Sequence, residues 1–231
     1  MIDVLRRASA VVTVASVEPG LEVVCSRGVK LVADKLIAEC SGEEYDLIAL
    51  PVGGPVLPVQ WQPARSGGLR PPRPPSGGLR PPRPPTCPRL LAPPQLLVLP
   101  NTPPPHPASL QGGMPGAERL RDCQPLTDLV RRQAEAGKRY AAICATPAVA
   151  FEHHGWLKGR AATAHPAFSD RLSDQSAVAQ RVVVDGSLVT SRGPGTAFEF
   201  ALALVKELYG EEAARAVAGP MVMAEGWDKA L

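Results

Sequence analysis

No pair of the five cysteines (25, 40, 87, 123 and 144) forms a CxxC unit, and no histidine stands at ligand spacing from any of them. An odd number of scattered cysteines argues against a disulfide framework and a structural zinc site, and fits a reducing compartment. The chain opens without a charged-then-apolar leader, and no run of about 18 apolar residues could span a membrane. A cytoplasmic protein is expected, with the nucleus or an organelle as alternatives and no membrane partner. Acidic residues are missing from 52–111, which holds six of the 25 Lys+Arg and none of the 22 Asp+Glu. The net charge of +3 therefore belongs to that segment, the remainder carries more acid than base, and no nucleic-acid partner is expected.

The same segment contains 19 of the 27 prolines and repeats the unit Ser-Gly-Gly-Leu-Arg-Pro-Pro-Arg-Pro-Pro at 66–75 and 76–85. Such composition cannot offset its ordering entropy by burial, so 52–111 is expected to be a disordered, polyproline-like insertion. An SH3-type ligand is the interaction reading, though arginine beside PxxP arises by chance in so Pro/Arg-rich a tract. Two origins fit the boundaries. Valine codons begin GT and one glutamine codon is CAG, so Val52 to Gln111 has the ends of an in-frame retained intron; the rival is an evolved linker or partner-binding loop.

Outside it, strands alternate with helices, the grammar of an α/β fold. Residues 1–8 read as the tail of an amphipathic helix, and 11–15 as a β-branched strand. Residues 21–25 and 29–32 read as a hairpin, Asp34 as the cap of a short helix, and 45–51 as a strand buried on both faces. After 112–116 come a helix bearing Leu126, Leu129 and Val130, an apolar strand at 140–143, and a short strand at 161–164. A hairpin across Asp185-Gly186 and two helices flanking Gly210 follow.

The strand at 140–143 breaks at Cys144 and resumes as a helix. Ala142 and Ala145 are the small neighbours that a tight strand-to-helix elbow needs, and the first turn of the helix is expected to favour thiolate over thiol. A buried, inert cysteine is the bland alternative.

Ala141-Ala142-Ile143-Cys144-Ala145, Thr163-Ala164-His165-Pro166 and Thr190-Ser191-Arg192-Gly193-Pro194-Gly195-Thr196 together resemble the ThiJ/PfpI superfamily, in its Parkinsonism-associated deglycase branch. The resemblance covers 1–51 and 112–231 and makes them two pieces of one domain. It implies a flavodoxin-like three-layer sandwich with a mostly parallel sheet, a homodimer, and cofactor-free, metal-free glyoxalase III or deglycase chemistry on methylglyoxal or glyoxal. By motif, Cys144 is the implied nucleophile and His165 the imidazole beside it. Gly112 and Gly113, with Ala145, are the implied oxyanion amides, and Arg27 is the arginine that reaches toward a partner subunit's site. Two departures stand out. The family's first strand and its proton-shuttling glutamate would lie before Met1, leaving an inner strand position vacant, and 52–111 separates Pro51 from Gly112. Impaired turnover is therefore expected, and Glu18, in a loop, is no substitute for the shuttle. The alternative is a non-catalytic redox-sensing or chaperone-like dimer that works through oxidation of Cys144.

An elbow cysteine beside a helix N-terminus should be the first of the five to oxidise. Limited peroxide followed by peptide mass spectrometry is expected to find sulfenate or sulfinate at Cys144 before Cys25, Cys40 or Cys123; the reverse order would defeat the elbow reading.

Overall fold

The computed structural model describes residues 1–25, 29–51, 57–60 and 114–230. Helix α1 (Ile2–Arg7) buries Val4 and Leu5 and leads into β1 (Val11–Val12). The β-branched run does not continue as one strand. At Val14 its N–H donates to an Asp34 carboxylate oxygen and its carbonyl accepts from the Asp34 N–H, both at 2.7 Å, and β2 (Ala15–Ser16) leaves the main sheet. Asp34 is thus committed to this crossing and caps no helix. Strands β3 (Glu22–Val24) and β4 (Lys30–Val32) form the expected antiparallel hairpin. Strand β5 (Lys35–Leu36) pairs with β2, and a 3-10 turn at Ile37–Cys40 begins where Glu39 accepts the Leu36 N–H.

Strand β6 (Leu47–Leu50) is buried at all four positions, as the unbroken apolar run requires. Beyond β7 (Leu57–Gln60), helix α2 (Met114–Asp122) starts with Pro115 in its first turn, where a missing N–H costs no helical hydrogen bond. The Met-Pro-Gly opening reads as a loop in sequence, and only the burial of Ala117 and Leu120 shows why it coils. Helix α3 (Gln124–Glu135) buries Leu126, Leu129, Val130 and Gln133, one face at helical spacing. The Gln133 amide donates to the carbonyls of Tyr45 and Arg139, both at 3.0 Å, and so ties α3 to the entries of β6 and of β8 (Arg139–Ile143).

Strands β9 (Val182–Asp185) and β10 (Leu188–Ser191) form the hairpin, turning at Gly186 with φ +59°. Residues 161–164 form no strand. Their amides are taken by side chains instead: the Ala161 N–H by Asp185 and the Thr163 N–H by Thr190 Oγ1. Helix α4 (Ala197–Tyr209) buries Phe200 through Val205, and α5 (Glu211–Ala218) follows across Gly210 at φ +89°.

The six-stranded sheet has the order β1-β7-β6-β8-β10-β9, with β6, β8 and β10 mutually parallel. Alternate residues of these strands enter opposite layers. Leu47, Ala49, Ala141, Ile143 and Val189 pack with α1, α4 and α5, whereas Ile48, Leu50, Tyr140, Ala142 and Leu188 pack with α3 and Phe151. The result is the flavodoxin-like α/β sandwich. Each large apolar side chain buried in it contributes roughly 1.5–3 kcal/mol. Among the described residues, no helix is long and apolar enough to cross a membrane.

The inner position expected to be vacant is filled. Leu57–Gln60, inside the segment expected to lack regular structure, lies between β1 and β6 and runs antiparallel to both. A backbone ladder on two sides outweighs a composition that disfavours burial, even with Pro58, which has no N–H, opposite Ile48. The rest of 52–111, including the decapeptide repeat and Cys87, lies outside the described residues. Since Val59 pairs with Val12 on one side and Leu47 on the other, Val59→Pro should cost about 1–3 kcal/mol in denaturant unfolding and speed amide exchange at Val12 and Leu47. Unchanged exchange at both would show that β7 does not hold the sheet together.

Candidate active site

Strand β8 ends at Ile143, and the next residue turns the chain. Cys144 has φ +70°, the left-handed region that costs a residue with a Cβ roughly 1–2 kcal/mol. Two backbone hydrogen bonds hold it there. Its N–H donates to the Ser191 carbonyl at 2.9 Å, just past the end of the β8–β10 ladder, and its carbonyl accepts the His165 N–H at 2.8 Å. The Val149 N–H then returns to the Ala145 carbonyl at 2.9 Å, and Pro147–Phe151 continues as a π-helical segment with all five residues buried. The strand-to-helix elbow expected at Cys144 is present, and its sulfur is only partly covered.

The electrostatics differ from the sequence expectation. Burial pushes the Cys144 thiol up, and the Ala145 N–H, which would favour the thiolate, only partly offsets it. Burial also raises Cys25, Cys40 and Cys123. Cys144 therefore differs from them in backbone geometry rather than in the direction of its shift.

His165 is brought to the elbow through its backbone. Its Nδ1 accepts the Ala167 N–H at 3.2 Å, an arrangement that leaves the proton of the neutral ring on Nε2. Phe168 lies 6.0 Å from the imidazole between ring centroids, with the Arg171 guanidinium over its ring, 5.4 Å from the centroid. Glu18 is paired elsewhere, its carboxylate 2.6 Å from the Arg119 guanidinium of α2. Gly112, Gly113 and Arg27 lie outside the described residues, although α2 begins at the residue after Gly113. Among the described residues, no three His, Cys, Asp or Glu side chains stand together as metal ligands would. The sequence motif containing Ser191 and Thr196 did not reveal what these residues do: they shape the loop whose carbonyl holds the elbow.

The profile of the DJ-1/PfpI family matches residues 1–63 and 108–207. The chain belongs to the DJ-1/PfpI family. Among DJ-1 relatives, it is 40% identical over 212 residues to Protein DJ-1 homolog B of Arabidopsis thaliana, a match over 92% of this chain and 35% of that protein. It thus spans little more than a third of that relative's length. A Caenorhabditis elegans relative named glutathione-independent glyoxalase DJR-1.2 is 33% identical over 115 residues, 49% of this chain and 61% of that one. The solved structure of oxidised Toxoplasma gondii DJ-1 superposes with a TM-score of 0.68 at 36% identity, covering 96% of this chain and 89% of that one.

A thiol whose pKa is raised by burial is less ionised at neutral pH than free cysteine. Iodoacetamide labelling of Cys144 should therefore accelerate with a pH midpoint above the ordinary thiol value of about 8.5. A midpoint below that value would mean that the turn's amides dominate over burial.

Proposed function

We propose that this chain is a cysteine-dependent, cofactor-free glyoxalase III or deglycase-type protein acting on small reactive aldehydes such as methylglyoxal or glyoxal. The observation that carries this is the left-handed elbow at Cys144, which ends a central strand with a partly covered sulfur beside the Ala145 N–H. The glyoxalase name of the Caenorhabditis relative supports the substrate class.

In this reading the Cys144 thiolate adds to the aldehyde carbon, forming a C–S bond and a hemithioacetal. The amide of Ala145, with those of Gly112 and Gly113, holds the oxygen as charge develops. A proton then leaves the former aldehyde carbon and is returned to the neighbouring one, converting the adduct to a thioester of the hydroxy acid. Water cleaves the thioester to release the acid and the thiol. Atoms and electrons balance as methylglyoxal plus water giving lactate, with no external oxidant.

The proton step is where this chain is slow. Among the described residues, no carboxylate influences the Cys144 thiol, and Glu18 is engaged by Arg119. Losing a general acid–base group typically costs about 10²- to 10⁴-fold, and His165 is the first candidate to carry the residual transfer. We also take 1–51 and 112–231 as two pieces of one domain whose sheet draws β7 from the intervening 52–111, with Arg27 serving a second copy in a homodimer.

The test is lactate formation from methylglyoxal by the unchanged chain, Cys144→Ser and His165→Gln at equal folded concentration. Slow turnover that falls at least about 100-fold in Cys144→Ser is expected, with a smaller loss in His165→Gln. Equal turnover by Cys144→Ser would overturn the reading. Inertness toward both aldehydes with Cys144 intact would leave the redox-sensing dimer as the better account.

A further inference from the structure

Two buried hydroxyls stand behind the elbow. Ser191 is fully buried and Thr196 is 6% exposed, and their oxygens lie 2.6 Å apart. Ser191 Oγ also donates to the Arg181 carbonyl at 2.8 Å, while the Gly193 N–H donates to Thr196 Oγ1 at 3.1 Å. The Thr196 hydroxyl also reaches the Gly193 carbonyl at 3.0 Å, so the hydroxyl pair is tied to Gly193 through both its N–H and its carbonyl, and to the Arg181 carbonyl just before β9 through Ser191.

This chain of bonds closes on the nucleophile. The carbonyl of Ser191 accepts the Cys144 N–H, and the backbone of Gly193 lies against the edge of the His165 ring, where a Cβ would be 3.5 Å from Cδ2. A left-handed cysteine persists only where its surroundings over-determine it. The Ser191 carbonyl is one of the two groups that do so, and it is anchored by its own side chain and by Thr196.

We infer that Ser191 and Thr196 are positioning residues for Cys144, their buried hydroxyl pair fixing the carbonyl that keeps the elbow left-handed and its sulfur beside the Ala145 N–H. The inference rests on reading Cys144 as the nucleophile. Arg181 bonds Glu199 and the Gly195 carbonyl, and Arg192 bonds the Ala179 carbonyl through Nη1, while its buried Nε has no hydrogen-bond partner among the described residues. The hydroxyls connect the elbow to the loop.

The test is the rate of Cys144 alkylation by iodoacetamide at neutral pH, read by peptide mass spectrometry per folded molecule. Thr196→Val keeps the shape but removes the hydroxyl that bonds the Gly193 N–H, the Gly193 carbonyl and Ser191. It should slow alkylation about tenfold, equivalent to ~1.4 kcal/mol, and Thr196→Ser should restore the rate. Thr127→Val is the control. Thr127 is a buried threonine whose hydroxyl donates to the Gln124 carbonyl within α3, and its loss should lower stability without changing Cys144. If Thr196→Val does not fold, Ser191→Ala breaks the same chain and is read in the same way. An unchanged rate in the folded variant, or equal slowing in Thr127→Val, would overturn the inference. Alkylation needs no aldehyde turnover, so failure of the glyoxalase reading would appear separately, in lactate formation by Cys144→Ser.

Discussion

Strand β8 is hydrogen-bonded along its length to β6 on one side and β10 on the other, and this double ladder is the constraint on which the rest depends. A strand paired on both edges cannot slide without breaking two registers, and a one-residue slip would send every side chain into the wrong layer. Tyr140 and Ala142 are thereby fixed toward one helix layer, Ala141 and Ile143 toward the other. Because β8 cannot slip, the residue after Ile143 is placed as firmly as the core. Cys144 inherits its position from that ladder and its conformation from the Ser191 carbonyl just beyond it.

The site balances two opposed effects on one sulfur. Partial burial disfavours the thiolate, while the left-handed turn presents the Ala145 N–H that favours it, and here burial has the larger effect. The elbow strain is maintained by neighbours on both sides, His165 through its N–H and Ser191 through its carbonyl. The fold thus supplies the elbow's geometry more completely than the thiolate's charge.

The position beside β6 shows how topology can override composition. With β1 on its far side, this slot offers unpaired ladder groups on two edges, and leaving them unsatisfied in the interior would cost about 1–3 kcal/mol per group. Leu57–Gln60 meets that demand although it comes from a proline-rich stretch and runs against its neighbours. β7 thus runs back from the end of β6 that lies beside the end of β8, where Cys144 stands.

Much of this was legible in the residues themselves. The apolar run at 45–51 marks a strand buried on both faces, that at 140–143 an apolar strand, the alternation of strands and helices α/β, and the small alanines around Cys144 the elbow. Each is a local property, set by side-chain size and periodicity. Other features depended on partners distant in sequence. Val14 leaves the strand because Asp34 binds its backbone, and 161–164 stays out of the sheet because Asp185 and Thr190 take its amides. α2 coils from a Met-Pro-Gly opening, and 57–60 becomes a strand because two edges were open to it. The sequence by itself determined the family, the core and the place of the cysteine, since these follow from local pattern. The tertiary structure alone decided the filling of the inner slot, the direction of the thiol's shift and the hydroxyl pair behind the elbow, because each depends on which groups distant in the chain meet across the sheet.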